Sequence, residues 1–98
     1  MNAADAISRL TAMAPAIRAM GATSLYLYGS TARGESGPSS DIDLFIDYDP
    51  TSQFNAFHLV GIKQLLEDEL QTPVDVTTRD GLHPILRSRI ERTSIRVF

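Results

Sequence analysis

Hydrophobic positions along the chain change period several times, and each change marks an element. Ile7, Leu10, Ala14 and Ile17 recur at spacings of three, four and three, the stripe of an amphipathic helix. Pro15 sits inside that stripe, and proline is tolerated in a first helical turn but breaks an interior one. The pattern therefore predicts two short helices, about 2–13 and 15–20, or one kinked helix, with Gly21 as C-cap. Residues 24–28, SLYLY, form an apolar run that ends at Gly29 and predicts a strand. Ser30 to Arg33 predict a short helix with Ser30 as its cap. Residues 34–40 are dense in Gly, Pro and Ser and predict a loop.

From residue 41 the period becomes two. Ile42, Leu44 and Ile46 alternate with Asp41, Asp43, Phe45 and Asp47, a strand with one apolar and one acidic face. Residues 52–71 predict the longest helix: Leu59, Ile62, Leu66 and Leu70 form its stripe, widened by Phe54, Phe57 and Leu65. After Thr72-Pro73, residues 74–77 predict a strand with Val74 and Val76 on one face and Asp75 on the other. A loop at Arg79-Asp80-Gly81 leads to a helix over 84–93, with Leu82, Ile85, Leu86 and Ile90 as its apolar side. Residues 94–98 predict a last strand, paired within the sheet or offered as an edge to a partner. The order predicts an α+β fold: a small mixed sheet with helices packed on one face and the other face partly open.

Length and composition narrow the chemistry. Ninety-eight residues predict a single domain, 1–98, with one core. At 43% hydrophobic and 21% charged residues the chain is expected to fold. A net charge of −3 argues against autonomous binding to long nucleic acid, which needs a basic face, but leaves room for a small charged ligand held through metal ions. With no cysteine, a disulfide scaffold, a thiolate zinc site and a Cys nucleophile are excluded, and a cytoplasmic setting is expected. No apolar run has the length of a membrane span, and MNAADAISRL lacks the build of a signal peptide.

Three features can carry chemistry. Gly29-Ser30 joins a strand to a short helix, which suits either an anion site or an ordinary capped turn. Asp41 and Asp43 lie two apart on a strand and so share a face, where they form either a Mg²⁺ site or a solvated acidic edge. Asp75 adds a third carboxylate to that face if its strand is a neighbour. Arg33, one turn on from Gly29, can pair with a phosphate oxygen or cap the Glu35 loop. His58 reads as a partly packed or surface residue, because no acidic or histidine partner lies one turn away. His83 precedes Pro84 and could reach a substrate, though nothing requires it. Arg89, Arg92 and Arg96 read as a solvated face, with an RNA or acidic-partner patch as the alternative. Tyr26 and Tyr28 read as sheet packing, and Tyr28 could also edge a nucleotide pocket.

Gly29-Ser30-Thr31-Ala32-Arg33-Gly34 followed by Ser40-Asp41-Ile42-Asp43-Leu44 resembles the signature of the DNA polymerase beta-like nucleotidyltransferase superfamily. It is most similar to the minimal nucleotidyltransferase (MNT) branch, and Asp75 stands where the third acid would fall. The resemblance implies transfer of a nucleoside monophosphate, AMP from ATP, to a hydroxyl of a protein or RNA acceptor. It implies that Gly29 and Ser30 hold the outer phosphates and that Asp41, Asp43 and Asp75 bind two Mg²⁺ ions. Asp75 would also accept the proton of the attacking hydroxyl. The partner it implies is a small helical HEPN-type toxin, met in a hetero-oligomer with this chain as antitoxin. The competing readings are a non-catalytic antitoxin that masks its partner's surface and a nucleotide-sensing module.

Overall fold

A computed structural model describes residues 1–35 and 41–98. The loop expected at 34–40 lies outside the described residues except for Gly34 and Glu35. Asn2 starts α1 (Ala3–Ala12): its side chain accepts from the backbone N–H of Asp5 at 2.8 Å. Pro15 falls in the first turn of a separate helix, α2 (Ala14–Ala19), so the two-helix alternative holds. Then come β1 (Ala22–Tyr28), the single turn α3 (Gly29–Ala32) and β2 (Ile42–Tyr48). They are followed by α4 (Ala56–Leu70), β3 (Val74–Thr78), a 3₁₀ turn (Arg79–Gly81), α5 (Arg87–Thr93) and β4 (Ile95–Arg96).

The four strands form one mixed sheet in the order β3-β2-β1-β4. β1 pairs antiparallel with β2 and with β4, while β2 and β3 run parallel, joined by α4 as crossover. The last strand thus pairs within the sheet. One face carries Leu25, Leu27, Ile42, Leu44, Ile46, Val74 and Val76, buried against Ala6, Leu10, Ile17, Ile62, Leu66 and Leu70 of α1, α2 and α4. The alternation read from the sequence is the alternation of the sheet, and the α+β architecture is as expected.

Four details differ from the expectation. Helix α4 starts at residue 56, because Asn55 and His58 close a capping box there. Asn55 Oδ1 accepts from the N–H of Phe57 and His58, and His58 Nδ1 accepts from the N–H of Asn55 at 3.1 Å. His58 is therefore a capping residue, also stacked on Phe54 with ring centroids 5.5 Å apart. Phe57 points to solvent, 87% exposed, and does not widen the apolar stripe. The last helix begins at Arg87 and has no buried residue; Ile85 is 84% exposed in the turn before it. Finally, Phe45 is fully buried although it alternates with the acids. A second layer covers it: Tyr26 stacks on its ring at 4.7 Å, and the Arg79 guanidinium lies 5.0 Å over it.

Among the described residues, no helix is long and apolar enough to cross a membrane. Leu66 is fully buried between α4 and the sheet. Leu66→Ala is expected to cost about 2–5 kcal/mol. Each kcal/mol should lower Tm by roughly 4–8 °C in a domain of this size, read by a thermal melt.

Candidate active site

The chemistry lies on the face opposite the core. Register sets Tyr28 of β1 beside Asp43 of β2, and Asp43 beside Asp75 of β3. Neighbouring strands are about 4.8 Å apart, so these three side chains form one row across the sheet. The row ends against the turn after β1. Gly29 there has φ +73°, a left-handed conformation that favours glycine, and a Cβ on it would run into the Asp43 carboxylate. The missing side chain is what lets the turn close down on the acid.

Ser30 does not cap α3. Tyr28 occupies the cap position with extended backbone, and Ser30 lies inside the turn, its carbonyl accepting from the N–H of Glu35 at 2.8 Å. Arg33 follows at the end of α3 and does two things at once. Its Nε pairs with Glu35 Oε2 at 3.1 Å, and its charge acts to lower the pKa of Asp43. The Glu35 pairing is the one of the two sequence readings of Arg33 that the structure contains.

Burial, then the charges of Asp75 and Asp41, push the Asp43 carboxyl above its ordinary range despite Arg33. The Tyr28 hydroxyl is pushed up to about 12 by burial first, and then by Asp43 and Asp75, so it stays neutral at physiological pH. Asp43 and Asp75 come together; Asp41 does not close the set. It is exposed just before β2, and among the described residues no three acidic or histidine side chains converge tightly enough to hold a metal ion. Two adjacent carboxylates are nevertheless hard oxygen donors whose repulsion a divalent cation would relieve.

Two adjoining clefts flank the row. One, of about 450 Å³, is lined by Asp43, Asp75, Thr77 and His83 together with Leu86 and Ile90. The other, of about 570 Å³, is lined by Gly29, Arg33, Glu35, Arg89 and Thr93. Tyr28, Leu86 and Ile90 border both. Acid thus faces one half of a continuous groove and arginine the other. Nothing in the sequence marked Thr77 as part of a site, Leu86 and Ile90 read there as the apolar side of the last helix, and Arg89 as a solvated face. His83 does lie on the groove, with its Nδ1 accepting from the N–H of Ile85 at 3.2 Å.

Residues 13–97 match the nucleotidyltransferase domain family. The chain belongs to this family. An inferred protein adenylyltransferase of Methanocaldococcus jannaschii is 35% identical over 72 residues, 74% of this chain and 75% of that protein. A solved structure described as an inferred minimal nucleotidyltransferase superposes with TM-score 0.82 at 29% identity, covering 97% of this chain and 95% of the other. The same fold recurs in a solved complex of a tri-AMPylated Shewanella oneidensis HEPN toxin with MNT antitoxin. There the TM-score is 0.63 at 15% identity, over 90% of this chain and 68% of that one. The minimal nucleotidyltransferase fold expected from the Gly-Ser and Asp-x-Asp pattern is the fold found.

The raised pKa of Asp43 has a consequence for stability. Folding favours its protonated form, so the stability tied to this group is present at low pH and lost as pH rises through the folded value. In chelator at pH 7, Asp43→Asn is therefore expected to melt a few degrees above wild type. The difference should vanish below the ordinary aspartate range of about 3.9. Thermal melts across pH check it, and equal Tm values at pH 7 would contradict it.

Proposed function

We propose that this nucleotidyltransferase-family chain transfers AMP from ATP to a hydroxyl of a protein, and that its acceptor is a small helical toxin of the HEPN type that it neutralises as antitoxin. The observation that carries the reading is the Tyr28–Asp43–Asp75 row set directly against the left-handed turn at Gly29. The names of the M. jannaschii relative and of the toxin–antitoxin complex support the acceptor class. A net charge of −3 also suits a protein acceptor better than a long nucleic acid.

Gly29, Ser30 and Arg33 would take the outer phosphates, since the turn approaches closely and Arg33 supplies charge. Asp43 and Asp75, with Asp41 at the start of the strand, would hold Mg²⁺, an ion that usually takes one or two carboxylates plus substrate phosphates. When bound, the ion supplies neutralisation of the charge that develops on the phosphates. The acceptor oxygen forms a bond to the α-phosphorus as the bond to the β-phosphate oxygen breaks. Pyrophosphate leaves through the arginine half of the groove, and Asp75, exposed and beside Asp43, accepts the hydroxyl proton.

The test is label transfer from α-labelled ATP with Mg²⁺ to a helical HEPN-type toxin offered as acceptor. Wild type should label it, Asp75→Asn should lose about 10²–10⁴-fold, and Asp43→Asn should fall to background. Wild type that labels no better than Asp43→Asn sinks the enzymatic reading. If Asp41→Asn, Asp43→Asn protein still protects cells from the partner, neutralisation is by binding.

A further inference from the structure

The groove has one wall that the sheet holds and one that it does not. Tyr28 and Asp43 are fixed by strand pairing. The opposite wall is Leu86 and α5, which places Leu86, Arg89, Ile90 and Thr93 along one helical face toward the groove. No residue of α5 is buried, so burial in the core does not anchor this wall.

The chain after α5 is tied to the sheet through β4, and an arginine ties the helix itself to β2. Arg79, just past β3, donates from Nε to Asp47 Oδ1 at 2.8 Å and from Nη2 to Asp47 Oδ2 at 3.0 Å, a two-pronged grip on β2. From Nη1 it donates to Glu91 Oε2 of α5 at 2.7 Å. The guanidinium lies over the rings of Tyr26 and Phe45, 4.9 and 5.0 Å from their centroids, so its orientation is set by packing as well as by charge. Arg87 binds the other oxygen of Glu91 at 3.2 Å from one turn earlier. Because residues on a helix are separated by about 100°, fixing Glu91 toward Asp47 fixes the rotation of α5, and with it the direction of Arg89 and Ile90.

We propose that Arg79 is a positioning residue. Through Glu91 it holds α5 over the open face of the sheet, so that Arg89 and Ile90 stand across the nucleotide groove from Gly29 and Arg33. This rests on the reading of the groove as a nucleotide site. Arg79 touches neither the acids of the row nor the Gly29 turn, and its effect is on retention of substrate rather than on the chemical step.

The experiment uses the full chain with Mg²⁺ and ATP. Glu91→Gln removes the charge on α5 and leaves the grip of Arg79 on Asp47 in place. It should raise the KM for ATP, and the calorimetric Kd, by about tenfold, the scale of one charge-assisted hydrogen bond, while kcat stays within about twofold. Amide exchange over 87–93 should speed up by about as much, with 42–48 unchanged. Arg79→Met should match or exceed these effects, and Arg79→Lys, which keeps the charge and loses the fork, should recover part of the affinity. Should Arg79→Met fail to fold, Glu91→Gln still decides the matter. An unchanged KM, or a raised KM with no loosening of 87–93, overturns the assignment. If wild type binds and transfers nucleotide and Glu91→Gln equals it, this inference alone falls; if wild type binds no nucleotide, the proposed function falls as well.

Discussion

Two carboxylates on adjacent parallel strands repel each other, and the rest of the molecule is arranged to hold them there. Asp43 and Asp75 are register partners, and Arg33 is the positive charge that acts to lower the Asp43 pKa against them. The offset comes from the other face. Ile42, Leu44, Val74 and Val76, the neighbours of the acids in sequence, are buried against three helices. A slip of one residue in either strand would send an aspartate into that core and a valine or isoleucine into water. The register that puts like charges side by side is therefore the one that the hydrophobic core demands. On the proposed function, substrate affinity would draw on the same source, since a site with unrelieved negative charge gains most from a ligand that arrives with cations.

The single-turn helix after β1 follows the same logic at shorter range. Gly29 occupies a conformation that other residues adopt only with strain, at a point where any Cβ would meet Asp43. The backbone thus comes within reach of the carboxylate row without a side chain between them. Arg33, one turn later, pairs with Glu35, and its charge acts to lower the pKa of Asp43. A phosphate entering the turn would compete with that weak surface pair for the arginine.

Much of this was legible in the sequence because it depends on local periodicity. Alternation in β2 and β3 shows which side chains share a face, and a Gly-Ser turn at the end of an apolar strand is a local signal. The misreadings lie where a third element intervenes or where local capping departs from the period. Phe45 alternates with aspartates and so reads as outward, yet Tyr26 and Arg79 roof it over. Phe57 continues a helical stripe in sequence, but the capping box at Asn55 starts α4 after Phe54 and leaves Phe57 on its outer side. Ile85 and Leu86 look like a helix core and instead stand exposed at the edge of the groove. Arg79 gives no sign at all: its partners Asp47 and Glu91 lie 32 residues before it and 12 after it, and nothing near Arg79 in the chain marks either.

The two faces of the sheet also divide rigidity. On the proposed function, the groups that meet the reacting atoms sit on β1, β2 and β3, strands paired with one another over the buried core. The wall formed by Leu86 and α5 has no buried residue in its helix and is joined to β2 through one guanidinium and two carboxylates, with Arg79 and Glu91 side chains 27% and 32% exposed. Contacts of that kind open at far lower free energy than core strands and are weakened by salt. If a charged substrate loosened this ion pair, the second wall would shift alone. The acids would keep their place, because the interaction that fixes their register lies on the other side of the sheet from α5.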